Sequence, residues 1–367
     1  MFAAILNQMT SHHPGLSKDL IAVAITSRVG TGPPKRIQEL LRKTAEELPI
    51  LSQSCRSIIA CTDDDTSSAN DVSEIIKHDQ AFLAKVIKLA NSATYYGPEP
   101  VVSSLQAVKI IGFDIIRAAA IGAEFVERTD GRGGDSAVLK KLLVRAVVSA
   151  TAAQELEEAC KFPRNPNLFT CTMLYTLGDL VLAHFLPDIY RILEAAQFHE
   201  PERIHKLETK LLGQTFQRLA TKMAKKLGLP IKITTLIETK PNLSQQQWTT
   251  THDRLTGLVC AANELGNCLL SPPTPSVQAS LQELLARFPQ ALNISPQALK
   301  TLTIKAFLKA DQLSGIMKIE KKYFVPHSDW GILDPAANPI KDFIGGIRNA
   351  TDTYQDVNLN TKTVLST

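Results

Sequence analysis

Residues 71–122, DVSEIIKHDQAFLAKVIKLANSATYYGPEPVVSSLQAVKIIGFDIIRAAAIG, constrain the fold more than any other stretch of this chain. Val72, Ile75 and Ile76, then Phe82, Leu83, Val86, Ile87 and Ala90, recur at three- and four-residue steps, the period of a helix with one buried face. Asn91-Ser92 ends that pattern with side chains that bond readily to nearby backbone, and Gly97-Pro98 completes a loop. Leu105, Val108, Ile111 and Ile115 resume the period, so the stretch predicts three short helices turned back on each other. Two roles are open to Asn91-Ser92. Their side chains could satisfy backbone groups left open where the helix stops, or point into a groove that reads a ligand. With no charged or catalytic residue beside them, the structural role is favoured.

The remainder is also helical in pattern. Pro34–Leu48 opens with proline at a first turn and keeps Ile37, Leu40, Leu41 and Ala45 on one face. Val138–Glu158 reads as one long helix, with Ala146 and Ala150 suited to close helix contact, and Leu168–Phe185 as another. Phe216, Leu219, Met223 and Leu227 form a stripe ahead of a Leu-Gly-Leu-Pro turn. Thr250 and Asp253 fit a capping box before Leu255–Leu269, and Ser295-Pro296 starts a helix reaching Leu313. The prediction is an all-α, multi-helix bundle over residues 34–317. Ahead of it, residues 1–33 read as a helical arm, Phe2–Met9 and Leu16–Val29, closed by the breaker run Gly30–Pro34. Residues 318–367 read as an irregular, partly disordered tail that Phe324 and Trp330 could pin to the domain surface.

Composition narrows the function classes. With 44% hydrophobic and 21% charged residues over 367 positions, the chain can bury a large core. A net charge of +4, with no long basic run, demands neither nucleic acid nor an anionic membrane. The six cysteines never fall in a CxxC spacing and read as thiols in a reducing compartment. No apolar run of about 20 residues and no secretory leader is evident, so a cytoplasmic protein without a membrane partner is expected.

Ile76, Asp79, Leu83, Lys85, Val86, Leu89, Ala90-Asn91-Ser92, Ser104-Leu105, Ala107, Ile111-Gly112 and Arg117 together resemble the signature of the HDOD domain, the HD-related output domain of bacterial signalling proteins. Leu48-Pro49 suits the family's opening, and the resemblance runs over residues 48–270. It implies an HD-like helical bundle and regulation through contacts with other signalling proteins. It also marks Asn91, Ser92, Gly112 and Gly178 as structural signature positions. HD phosphohydrolases hold metal with histidines and a His-Asp doublet, because imidazole and carboxylate donate lone pairs at neutral pH. In MLYTLGDLVL the doublet's place is taken by Tyr175-Thr176, and the same alignment puts Ala146, Phe216, Thr239 and Lys240 at the other ligand positions. None is a good metal ligand. The expectation is therefore a non-enzymatic module with no catalytic residue, no metal and no cofactor. Two alternatives stay open: a cyclic-dinucleotide sensor using the vacant pocket, and a phosphohydrolase with unconventional ligands. Self-association is also left open.

Other candidates read as structural. Asp179 and His184 are five residues apart, about 140° around a straight helix, so one ion cannot take both. His252-Asp253 is a literal HD doublet, yet it stands in the capping box. His12-His13 beside Pro14 reads as an exposed loop pair. Arg128–Ser136 is a glycine-rich loop with no strand before it, unlike a phosphate loop. Lys222, Lys225 and Lys226 read as a solvated face.

Overall fold

The computed structural model describes residues 51–330 except 96, 98, 130–135, 200–203, 239–249, 272–275 and 290, together with Glu39. The N-terminal arm, most of 34–48, the glycine loop, Thr239-Lys240 and the chain after Trp330 lie outside the described residues.

The helices run in order: α1 Gln53–Asp63, α2 Ala69–Lys77, α3 Gln80–Ala90, α4 Ser104–Ile111, α5 Phe113–Thr129, α6 Ser136–Ala159, α7 Leu168–Leu174 and α8 Leu177–Phe185. Next come α9 Pro187–His199, α10 Ile204–Leu212, α11 Phe216–Lys226, α12 Ile231–Glu238, α13 Thr251–Leu270, α14 Val277–Arg287 and α15 Pro296–Leu313. Short 3-10 turns follow at Lys321–Tyr323 and Ser328–Trp330. No strand occurs among the described residues.

Local chemistry sets many of the ends. The Ser68 hydroxyl accepts from Asp71 N–H while the Asp71 carboxylate accepts from Ser68 N–H, and Thr250 with Asp253 repeats the arrangement at α13. The opening stretch gives four helices rather than three. Gly112 sits at φ +88°, a left-handed backbone that ends α4, and Ile115 belongs to the next helix, α5.

The bundle is organised around α6, which packs against α13, α7, α15, α8 and α5. Ala146, Val147, Val148, Ser149, Ala150, Thr151, Ala152 and Ala153 are all buried, so this helix is enclosed on several sides. Small residues allow that. A Cβ added at Gly266 of α13 would collide with the Ser149 hydroxyl and lie 3.3 Å from the Arg145 carbonyl oxygen.

The expected single helix Leu168–Phe185 is interrupted at Tyr175-Thr176. Thr176 reaches ψ 7°, outside the helical region, and its hydroxyl donates back to the Met173 carbonyl at 3.1 Å. By composition this span is apolar enough to cross a membrane, but 83% of it is buried inside the bundle.

Residues 318–330, placed with the tail in the sequence reading, are ordered on the bundle, largely exposed but anchored by buried Ile319, Phe324, Pro326 and Trp330. Phe324 and Trp330, 6% and 2% exposed, pin the segment as the sequence reading expected. Carbonyls at the end of α13 lack intrahelical partners, and this segment supplies them. Trp330 Nε1–H donates to Cys268 O at 2.9 Å and His327 N–H to Leu269 O at 2.8 Å.

Candidate functional site: the HD-like ligand positions

Four of the positions that the family resemblance marks as metal ligands lie on α6, on α11 and at the α7–α8 break. Ala146 is wholly buried in α6 and offers no donor atom. The Tyr175 hydroxyl accepts from Cys260 Sγ at 3.4 Å, and burial, reinforced by Cys260, holds the phenol well above its usual range. Thr176, 3% exposed, uses its hydroxyl on its own backbone turn. Phe216 is buried at the start of α11. Next to the doublet's place, Gly178 brings α8 against α11 so closely that an added Cβ would lie 2.5 Å from Phe216 O.

These groups do not fit a metal ion. An aliphatic carbon, a neutral phenol, a hydroxyl turned onto backbone and a phenyl ring supply no anionic or imidazole donor set. Among the described residues, no group of three or more His, Cys, Asp or Glu side chains could hold one. Thr239 and Lys240 lie outside the described residues.

The rival residues are separated. Asp179 faces Arg145 of α6, whose guanidinium donates to its Oδ2 at 2.6 Å and to Asn267 Oδ1 of α13 at 3.1 Å. His184 turns elsewhere: its Nδ1 is buried with no hydrogen-bond partner, and the ring meets Phe185 edge-on at 4.5 Å. Burial holds this imidazole below its ordinary value. Asp253 serves as the α13 cap, and the Thr250 hydroxyl and N–H hold its carboxyl low.

Asn91 works as a joint. Its Nδ2 donates to Ile87 O at 3.0 Å and Val101 O at 2.7 Å, and its Oδ1 accepts from Val101 N–H at 2.8 Å. The loop from α3 to α4 is thereby closed. Ser92 departs from the reading given to the pair: its Oγ is buried and bonds no backbone group.

Sequence reasoning missed the role of Asp114. Its carboxylate in α5 accepts from Phe169 and Thr170 N–H at 2.7 and 3.0 Å, capping α7 from another helix. Arg117, 1% exposed, pairs with it at 2.9 Å and also donates to Asn167 Oδ1, Thr170 Oγ1 and the Thr62 and Pro166 carbonyls. Burial pushes the Asp114 carboxyl up, against the opposing pull of Arg117 and those donors. The signature arginine was the only local signal for this network.

A cleft of about 120 Å³ opens between α1, α3 and α5, lined in part by Ser52, Asp79, Lys85, Glu124, Glu127 and Lys318. Glu124 Oε2 accepts from Ser52 N–H at 3.1 Å, Asp79 Oδ1 from Phe82 N–H at 2.9 Å, and Glu127 pairs with Lys318. Its lining residues are scattered along the chain, which hides it from a sequence reading.

Among the described residues the fold is therefore an all-α helical bundle. The HDOD domain family model matches residues 48–243, and the chain belongs to that family. No curated protein matches the sequence. Among solved structures, an HDOD domain protein of unknown function from Geobacter sulfurreducens is 18% identical, with a TM-score of 0.54 over 76% of this chain and 97% of its own. A candidate phosphohydrolase from Shewanella amazonensis is 20% identical, with a TM-score of 0.55 over 77% and 98% of the two chains. A candidate metal-dependent phosphohydrolase from the same organism is 20% identical, with a TM-score of 0.52 over 79% and 98%. At these identities the likeness establishes the fold alone.

Proposed function

We propose that this chain is a non-catalytic module of bacterial signal transduction, acting in the cytoplasm through contacts with other signalling proteins. The observation that carries this reading is the α8–α11 contact. Gly178 and Phe216 bring the two backbones into contact beside Tyr175-Thr176, where the positions that the resemblance marks as ligands carry a phenol, a hydroxyl and a phenyl ring. Ala146 and Thr176, both buried, supply no charge at the positions that the resemblance marks. The hydrolase names of two similar structures are not carried over, because the side chains behind such an activity are missing at every described position.

Capture of partners from a lysate of the native host, with and without added cyclic dinucleotides, tests the proposal alongside a phosphodiester hydrolysis assay in Mn²⁺. Capture of a signalling protein that ignores the dinucleotide, with no turnover, is the expected result. Turnover that disappears on chelation would refute it, and dinucleotide-dependent capture would move the assignment to a sensor.

A further inference from the structure

The outer face of α11 carries a single sign of charge. Seven of its 11 residues are buried, and the four left exposed, Arg218, Lys222, Lys225 and Lys226, are all basic. Their spacing puts them in one stripe along the helix. Beyond the turn at Gly228, at φ +74°, α12 opens with Ile231, 76% exposed, and the exposed Lys232. Lys222 donates to Gln214 Oε1 at 2.7 Å, Lys225 lies 3.6 Å from Glu238, and Lys232 lies 3.2 Å from Asp65. Glu238 and Asp65 are 54% and 89% exposed, so water and salt screen both pairs.

Helix stability does not account for this charge. Lysines in the last turn suit the negative end of the helix dipole, but Arg218 stands in the first turn, where a cation opposes the positive end and no acid offsets it. Like charges three and four residues apart also repel. A face so arranged fits an anionic occupant, and two further features point to lipid. Protein interfaces are depleted in lysine, which holds three of the four exposed positions. No aromatic side chain is exposed on α11 or at the start of α12 to stack a base. Ile231, set among lysines, instead offers apolar area that a bilayer interface rewards and a phosphodiester backbone does not.

We propose that the exposed face of α11, with Ile231 and Lys232, is a docking surface for an anionic lipid bilayer. The ammonium and guanidinium groups meet headgroup phosphates, and Ile231 enters the boundary between headgroups and acyl chains. A net charge of +4 hides the surface because it averages over the whole chain. The contact needs no spanning segment, and it goes beyond the signalling reading, which stands or falls on partner capture and turnover.

Co-sedimentation of the full chain with phosphatidylcholine vesicles, with and without about 30% phosphatidylglycerol, tests this. In 0.1 M NaCl the parent should bind the anionic vesicles at least about tenfold more strongly than the neutral ones, and 0.5 M NaCl should remove most of that difference. The triple variant Arg218→Gln, Lys222→Gln, Lys226→Gln should lose at least about tenfold, since each basic group near an anionic leaflet strengthens binding by about fivefold. Arg56→Gln, Lys88→Gln and Lys109→Gln together remove as many exposed charges from α1, α3 and α4 and should leave binding at the parent level. Ile231→Ser should weaken binding several-fold with its salt dependence unchanged. All these side chains are exposed, so urea midpoints should match the parent. Should the α11 variant not fold, the parent's own lipid preference and salt response still decide. Equal binding to both vesicles, binding that ignores salt, equal losses in the two triple variants or a parent-like Ile231→Ser would each overturn the proposal. A short DNA duplex is the rival polyanion: duplex binding lost in the α11 variant, with vesicles ignored, would give the face to nucleic acid and overturn it equally.

Discussion

Replacing Asn91 by leucine tests the joint between α3 and α4. The substitution removes three hydrogen bonds at once, those to Ile87 O, Val101 O and from Val101 N–H. Ile87 O keeps the Asn91 backbone N–H at 3.1 Å, so little is lost there. Val101 is different. It is 5% exposed, and Asn91 serves both its N–H and its C=O. An unsatisfied buried polar group costs about 1–3 kcal/mol, and partial access of water on the exposed Asn91 side keeps the pair to roughly 2–4 kcal/mol together. At about 2–4 °C per kcal/mol for a domain of this size, Tm should fall by roughly 5–15 °C. Differential scanning calorimetry reads the shift, and urea titration at unchanged slope confirms that stability rather than compactness has moved. Ser92→Ala is the internal contrast: its hydroxyl bonds nothing, so its loss should leave Tm within about 2 °C of the parent. A parent-like Tm for Asn91→Leu would refute the joint, and if partner capture were lost at the same time the pair would become a recognition site.

Three further outcomes follow from other contacts. Gly178→Ala should destabilise by about 1–3 kcal/mol by forcing α8 from α11, measured by urea denaturation, and an unchanged midpoint would show that the helices are not in backbone contact. Burial holds His184 below its ordinary 6.5, so the unfolded chain binds that proton more readily, and stability should decline as pH falls below about 6.5. Denaturation midpoints between pH 7.5 and 5.5 should show that decline reduced in His184→Gln, and an identical profile would remove His184 as its source. Burial pushes the Cys268 thiol up to about 11 and raises Cys171 further, so both should resist alkylation of the folded protein at pH 8, and rapid labelling of either, located by mass spectrometry, would contradict this.

Much of the helix plan was legible from residues alone because its determinants are local. The capping box at Thr250 and the Ser295-Pro296 start depend on side chains three residues from the groups they satisfy. The absence of histidine and aspartate at Ala146, Tyr175, Thr176 and Phe216 was equally readable, since it is a matter of residue identity. The long-range pairings were not. The Arg145–Asp179–Asn267 clamp joins positions 34 and 122 residues apart, and the Asp114 cap reaches 55 and 56 residues along the chain. No local pattern marks either pair. Trp330 was legible as a pin for the tail, but its partner was not: its Nε1–H finds the Cys268 carbonyl at the end of α13, 62 residues away. The sequence by itself determined the all-α class and which side-chain types stand at the positions the resemblance marks, because those follow from periodicity and residue identity. Tertiary structure alone decided which charges are balanced and by what, because burial and pairing arise only when distant helices meet.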